Sequence, residues 1–262
     1  MTKRAYPLHL IIPDSHAQPD ICNRRYEALG NLIMDIRPDV IINLGDHADM
    51  KSLCTYDYGK KSFEGRRYKA DIASAIDANE RLFEPLLKYN RTRTAWKKKQ
   101  YNPRAVMCIG NHEYRINKAI EDDAKLDGVL SIDDLEYECF YDDVVPFLEP
   151  IIIDGIAYCH YFTSGVMGRP VSGKHQAMSL LDKMHISCTQ GHTHTMDYGE
   201  QIRADGKRII GHVAGCFFEH DESYAGPANR MYNRGITLKH EVNNGSYDIQ
   251  RISMECIIRD YL

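Results

Sequence analysis

An α/β fold with a mixed sheet is what the sequence predicts, and three observations predict it. Short apolar runs recur along the 262 residues, most of them too apolar for strands with one solvated face, which points to burial on both faces. Patterns of helical period lie between these runs. Near the C-terminus two strand-like runs flank a turn signal, so antiparallel strands close the sheet.

Taken in order, LHLII (8–12) is the first strand, and Ile21, Leu29, Leu32, Ile33 and Ile36 mark a helix ahead of Pro38. VIINL (40–44) is the second strand. Ile72, Ile76, Asn79, Phe83 and Leu86 mark the next helix, which Pro85 is expected to kink or end early. AVMCI (105–109) comes next, then IIID and IAYCHY on either side of Asp154-Gly155, with His160 inside the second run. Ala177, Leu180, Leu181 and Met184 mark a third helix between that pair and the strands ISCTQ (186–190) and RIIGHVAG (208–215). ITLKHEV and SYDIQRISM around Asn243-Asn244-Gly245 form the closing hairpin, at about 235–255.

Length and composition suit one large globular domain, 1–262, with 43% apolar and 27% charged residues. No run is long and apolar enough for a membrane span. The start MTKRAYPLHLIIPDSH breaks at Pro13 and Asp14, too early for a signal peptide. Eight cysteines at 22, 54, 108, 139, 159, 188, 216 and 256 contain no CxxC pair, and a reducing cytoplasm is the simpler expectation. Charge is uneven: residues 51–104 hold 14 Lys and Arg against 6 Asp and Glu, a net +8 that leaves −12 for the rest.

The short segments just after the strands carry the chemistry. Asp14-Ser15-His16 comes after the first, Gly45-Asp46-His47 after the second and Gly110-Asn111-His112-Glu113 after the third, with His160 in the IAYCHY run and Gly191-His192-Thr193-His194 after ISCTQ. Carboxyl ends of strands are where open α/β sheets gather ligands. Carboxylates, imidazoles and one amide oxygen, with no thiolate, suit Mn, Fe, Zn or Ni better than Ca or a structural zinc site. Glycines 45, 110 and 191 let the backbone turn sharply before each ligand. Seven donors (Asp14, His16, Asp46, Asn111, His160, His192 and His194) exceed one tetrahedral ion and suit two that share a carboxylate. Two metals roughly 3.5–4 Å apart are an arrangement that hydrolyses phosphate esters.

Asp14-x-His16, Gly45-Asp46, Gly110-Asn111-His112-Glu113, His160 and Gly191-His192-x-His194, in this order from residue 8 to about 215, resemble the motifs of calcineurin-like metallophosphoesterases. The resemblance implies a four-layer αββα sandwich with the dimetal site at the strand ends. It implies Asp14, His16, Asp46 and His194 on one metal, and Asp46, Asn111, His160 and His192 on the other. Asp46 is then the bridge and His112 a histidine that protonates the leaving oxygen or stabilises phosphoryl charge. Where many phosphatase members carry an Arg to grip a monoester, this chain reads Gly45-Asp46-His47-Ala48-Asp49-Met50, which argues against a protein-phosphatase-like activity.

Other polar residues have ordinary readings beside functional ones. His9, His175, His185, His212, His220 and His240 are read as core or surface histidines. His47 and Asp49 stand beside the bridge; His47 either backs a ligand, faces substrate or is exposed. Glu113 either orients His112 or a ligand imidazole, or favours the start of a helix near Tyr114.

The basic stretch 51–104 is read as an insertion that leaves from and returns to the site edge. Arg91, Arg93, Trp96, Lys97, Lys98 and Lys99, with Tyr101, suit a phosphate backbone and its bases; the plainer reading is a solvated helix and charged loop with Trp96 packed against the body. Met167-Gly168-Arg169-Pro170 and Ser172-Gly173-Lys174-His175 form a second basic loop near the mouth.

The functional expectation is a dimetal hydrolase in which a hydroxide held between the ions attacks phosphorus in line. Its substrate is expected to be a phosphodiester in a nucleic acid or nucleotide. A small-molecule phosphatase or cyclic-nucleotide phosphodiesterase is the alternative within enzymes. A binding module without chemistry is disfavoured, because all seven ligand positions and His112 are present.

Overall fold

The computed structural model describes residues 4–262; residues 1–3, the start of the stretch read as lacking a signal peptide, lie outside it. In chain order the elements are β1 (His9–Ile12), α1 (Arg24–Ile36), β2 (Val40–Asn43), α2 (Tyr68–Ala95), β3 (Arg104–Cys108), α3 (Arg115–Asp122), β4 (Asp143–Val145), β5 (Ile151–Ile153) and β6 (Ile156–Tyr158). They continue with β7 (Thr163–Ser164), β8 (Arg169–Pro170), α4 (Gln176–Met184), β9 (Ser187–Gln190), β10 (Met196–Ile202), β11 (Arg208–Ala214), β12 (Gly235–Asn243), β13 (Ser246–Ser253) and α5 (Met254–Tyr261). One sheet runs β13-β12-β1-β2-β3-β4 and a second β10-β11-β9-β6-β5. Both are mixed: β1 to β4 are parallel with β12 and β13 antiparallel to their neighbours, and β6, β9 and β11 are parallel between antiparallel edges.

Alternation along the strands shows the layers. Leu10, Ile12, Ile41, Ala105 and Met107 pack with Leu29, Leu32, Ala78, Leu82 and Ile257 of α1, α2 and α5. Their neighbours Ile11, Ile42, Val106 and Cys108 point the other way, into a second core with Ile156, Tyr158, Ile210 and Tyr247. Beyond the second sheet, Ala157, Cys188 and Val213 meet Leu180 of α4. Two sheets flanked by helices therefore bury both faces of their central strands, as the near-continuous apolar runs require. The middle layer also encloses polar groups. Lys239 is buried with its ammonium over the rings of Tyr158 (4.7 Å) and Tyr247 (4.4 Å) and donates to Thr189 Oγ1. His9, a core histidine, bridges Tyr158 (2.7 Å) and Asp154 (2.9 Å).

Four features differ from expectation. α2 runs unbroken through Pro85 for 28 residues. Tertiary packing supports it there: α1 lies so close that a Cβ on Gly30 would come 3.0 Å from Pro85 Cγ and 2.5 Å from the Leu82 carbonyl oxygen. His160 stands two residues beyond β6, not within it. β10 gives no apolar signal because it is an edge strand with half-exposed side chains. Met254, read as the end of a strand, begins α5, where Ser253 caps the Cys256 amide.

The basic stretch also takes a different path. β2 and β3 are parallel, so their connection leaves the carboxyl edge and returns at the amino edge; it cannot begin and end at the site. From Ala75, whose carbonyl accepts from His47, to Ala95 the helix rises about 30 Å. Arg91, Arg93 and Lys97, Lys98 and Lys99 accordingly lie toward the opposite edge, where Tyr101 donates to the Pro38 carbonyl ahead of β2 at 2.5 Å. Trp96 is 72% exposed and is not packed against the body. No helix among the described residues is long and apolar enough to cross a membrane.

Because Leu238 of β12 is buried against the helix layer, Leu238→Ala should lower unfolding free energy by about 2–5 kcal/mol in denaturant titration. Trp96→Ala should stay within about 0.5 kcal/mol of wild type.

Candidate metal centre

Both sheets aim their carboxyl ends at one place. From the first sheet come Asp14 and His16 just past β1, Asp46 past β2, and Asn111 and His112 past β3; the second supplies His160 past β6 and His192 and His194 past β9. Backbone bonds sew these loops together. The Ser15 and His16 amides donate to the Asp46 carbonyl at 3.1 and 3.0 Å, Gly191 to His160 at 2.9 Å, and Phe217, beyond β11, to Asp14 at 2.7 Å. His16, Asp46, His192 and His194 adopt φ of 45°, 48°, 69° and 59°, a left-handed region that costs non-glycine residues on the order of 1–3 kcal/mol each. Four of the seven proposed ligand positions thus hold a strained backbone that their surroundings enforce.

Gly45, at φ 92°, turns the backbone before Asp46 as expected, whereas Gly110 and Gly191 serve close approach. A Cβ on Gly110 would lie 2.2 Å from Asp46 Oδ1, and one on Gly191 would lie 2.2 Å from Asp14 Oδ1. Neither position admits a side chain without moving a carboxylate.

Asp46 is the centre of the cluster. Its Oδ1 accepts from the His112 amide at 2.8 Å. Its Oδ2 lies 3.3, 3.6 and 3.9 Å from Nε2 of His160, His112 and His16. Ligand atoms of Asp14, His16 and His194 converge within 4.8 Å of one another, as do those of Asp46, His160 and His192. His194 Nε2 is 3.2 Å from Asp14 Oδ2, and Asn111 Oδ1 is 2.9 Å from His160 Nε2.

Outer partners set which imidazole nitrogen faces inward. His160 Nδ1 donates to the Leu44 carbonyl at 2.9 Å, and His16 Nδ1 to Glu222 Oε1 at 2.9 Å. Carbonyl or carboxylate acceptors on the far nitrogen are what metal-bound histidines commonly have. His16 Nε2 is buried with no hydrogen-bond partner, a costly arrangement that a cation relieves. The residues therefore fit divalent ions. Burial opposes charge on both imidazoles, yet Glu222, Asp49 and Asp46 raise His16 to about 9, and Asp46 and Asp14 raise His160 to about 9. Both respond to a field that favours positive charge at this spot. Burial holds His192 down at about 4, a neutral imidazole available as a donor.

Of the residues beside the bridge, Asp49 accepts from His112 Nδ1 at 3.0 Å. Arg115 donates to the other nitrogen, Nε2, at 3.0 Å and to the Asp49 carbonyl at 2.6 Å. His112 is thereby neutral with a fixed tautomer, and burial lowers its pKa. His47 faces away from the cluster, buried against Tyr26 and Tyr137 with Ser15 Oγ 3.2 Å from Nδ1. Glu113 takes neither expected role. Its carboxylate accepts from the Asp46, Ala48 and Gly110 amides at 2.9–3.0 Å and from Tyr137 Oη at 3.1 Å, clamping the β2 and β3 loops together.

Two residues escape the sequence reading. Arg115 comes directly after the Gly110-Asn111-His112-Glu113 motif and Tyr114, and turns back into the site because α3 starts there. Glu222 leaves no signal: it lies 206 residues from His16 on an irregular loop, held by reciprocal bonds with Asn229 at 2.9 Å. His220 belongs to the same network, 3.0 Å from Glu222 Oε1. His16, Asp49, His220 and Glu222 also bring ligand atoms together, but the Lys51 ammonium, 3.3 Å from Asp49 Oδ2 and 3.9 Å from Glu222 Oε2, supplies the positive charge there. A cavity of about 480 Å³ opens over the cluster, lined by Asp46, Asn111, His112, His192 and His194, with Lys51, Lys60, Arg66 and Arg115 among its walls. Neither Arg91, Arg93, Trp96, Lys97, Lys98 and Lys99 nor the 167–175 loop lines it.

A family model described as calcineurin-like phosphoesterase matches residues 9–213. No curated protein matches the chain. Among solved structures it is similar to a conserved protein of Streptococcus pneumoniae TIGR4 described as a predicted phosphoesterase, at 12% identity and TM-score 0.35, covering 95% of this chain and 100% of that one. It is also similar to YfcE, a phosphoesterase from E. coli, at 12% identity and TM-score 0.36, covering 94% and 99%. Since the family match spans most of the chain and includes every residue of the cluster from Asp14 to His194, this chain belongs to the calcineurin-like phosphoesterases.

Proposed function

We propose that this metal-dependent phosphoric ester hydrolase cleaves a phosphodiester, in a nucleic acid or nucleotide, at two divalent ions that share Asp46. The observation that carries the dinuclear reading is Asp46 Oδ2 itself, which lies 3.9 Å from Nε2 of His16 in the first sheet's loops and 3.3 Å from Nε2 of His160 in the second's. Asp14, His16, Asp46 and His194 would hold one ion, and Asp46, Asn111, His160 and His192 the other. The ions would lower the pKa of a water, present it as the nucleophile and neutralise phosphoryl oxygens. Donors limited to oxygen and imidazole nitrogen support Mn, Fe, Zn or Ni. Eight free cysteines support a reducing, cytoplasmic setting.

The chain's own groups complete the site. Asp49 orients His112 through Nδ1, and with Arg115 turned from Nε2 to a substrate phosphoryl oxygen, Nε2 would be free to carry a proton taken from water to the leaving oxygen. Lys51, Lys60, Arg66 and Arg115 line the cavity in ion pairs with Asp49, Asp57 and Glu222, and Tyr56 and Tyr224 give it flat aromatic faces that suit the base of a nucleotide. The basic cluster Arg91, Arg93, Trp96, Lys97, Lys98 and Lys99 would reach only a substrate long enough to extend along α2. Arg115 supports a second reading: a guanidinium beside His112 suits the terminal phosphate of a monoester. A panel of mono- and diester chromogenic phosphates and single- and double-stranded nucleic acid, with metal restored, separates the two. Diester cleavage is expected to lead, and hydrolysis confined to monoesters would reject the first reading.

Activity should disappear on exhaustive chelation and return with added metal. Asp46→Asn should be the most damaging ligand substitution, lowering both kcat and bound metal, since no other donor is expected to touch both ions. His112→Gln should lower kcat about 10²–10⁴-fold with metal content near wild type; loss of metal from that variant would show that His112 is a ligand. Glu222→Ala should weaken metal binding about 10–100-fold by calorimetry, because His16 loses the acceptor that orients it. Unchanged affinity would show that the Glu222 contact is incidental.

A further inference from the structure

The cavity over the metal residues is one of two that meet at the same point. A second, of about 530 Å³, is lined by Tyr114, Lys118, Phe147 and Tyr161, and shares Tyr56, Asn111 and Arg115 with the first. Asn111 is a proposed metal ligand and Arg115 touches His112, so the shared boundary is where a reacting phosphate would sit. A monoester carries one organic group and fills one such arm; a diester carries two.

The second arm differs in chemistry from the first. Phe147 stacks on Tyr114 with centroids 4.6 Å apart and meets Tyr161 edge-on at 5.6 Å, and Tyr161 in turn lies 4.6 Å from the His192 ring. A continuous aromatic wall thus leads from His192 outward to Tyr114, which is 42% exposed. Tyr56, 84% exposed at the shared lip, stands free to cover a guest. Lys118 lines this side together with Asp122, one helical turn further along α3. Aromatic faces stack on any unpaired base.

We propose that the aromatic arm is a base-stacking subsite for the nucleotide on one side of the scissile phosphate, making the substrate a single strand of at least two nucleotides. This rests on the diesterase reading above. Bases paired in a duplex present their edges and cannot enter the arm as separate planar rings, so the site selects unpaired strands.

The test compares kcat/KM, in the Mn-loaded enzyme, for dithymidine monophosphate and for the methyl phosphate diesters of thymidine at its 3′ and 5′ positions. Wild type should prefer the dinucleotide about five- to a hundredfold, the range for one stacked base. Phe147→Ala and Tyr114→Ala should collapse that ratio through KM, and Phe147→Tyr should keep it. If Phe147→Ala does not fold, Tyr114→Ala, at a more exposed position, decides. A ratio near one in wild type, a ratio unaltered by either alanine, or equal cleavage of duplex and single strand would overturn the subsite while leaving a diesterase. Failure to cleave any of the diesters, with a monoester hydrolysed, would instead reject the diesterase reading on which the subsite rests.

Discussion

The site depends on bringing one buried carboxylate, that of Asp46, within reach of imidazoles from two different sheets. This requires the loops after β2 and β3 to touch, and they do so because Gly110 leaves the space that Asp46 Oδ1 occupies. Glu113 then holds the two loops in contact by accepting three backbone amides at once. Three such bonds to a buried carboxylate satisfy amides that would otherwise be orphaned in a dry region. The left-handed backbone at Asp46 is the local cost of this arrangement, and the clamp is what keeps it from relaxing.

That contact determines the rest of the centre. With Asp46 fixed, His160 reaches it from the second sheet only in the orientation its bond to the Leu44 carbonyl allows. His16 is turned by Glu222, and His112 by Asp49. Each imidazole therefore has one nitrogen committed outward and one directed at Asp46 or the cavity. Clustering acids and imidazoles with so little water is unfavourable for isolated charges, and the raised pKa of His16 and His160 records the same negative potential that would draw divalent cations.

The proposed ligands are legible in sequence because each obeys the same local grammar: an apolar strand buried on both faces, a short turn and a polar side chain. That grammar identifies the loops of Asp14, Asp46, Asn111 and His192 without any knowledge of how the sheets pack. Relations made only by tertiary structure are beyond it. Glu222 meets His16 across more than two hundred residues, and nothing local marks it. Glu113 has two plausible local roles and fills neither, because its partners are amides brought near by folding. Position between two proposed ligand strands puts the basic stretch beside the site, which holds at its start, where Lys51, Lys60 and Arg66 line the cavity, and not at its end, because parallel strands oblige the connection to cross to the other edge. Intrinsic cost alone makes Pro85 a helix breaker, while the packing of α1 against that turn decides the outcome.

The central claim is that two ions share Asp46, and anomalous diffraction from crystals grown with Mn, recorded at the Mn absorption edge, tests it most directly. Two peaks roughly 3.5–4 Å apart are expected on either side of the Asp46 carboxylate, one within ligand distance of Asp14, His16 and His194 and the other of Asn111, His160 and His192. A single peak, or a pair of which Asp46 reaches only one, would contradict it.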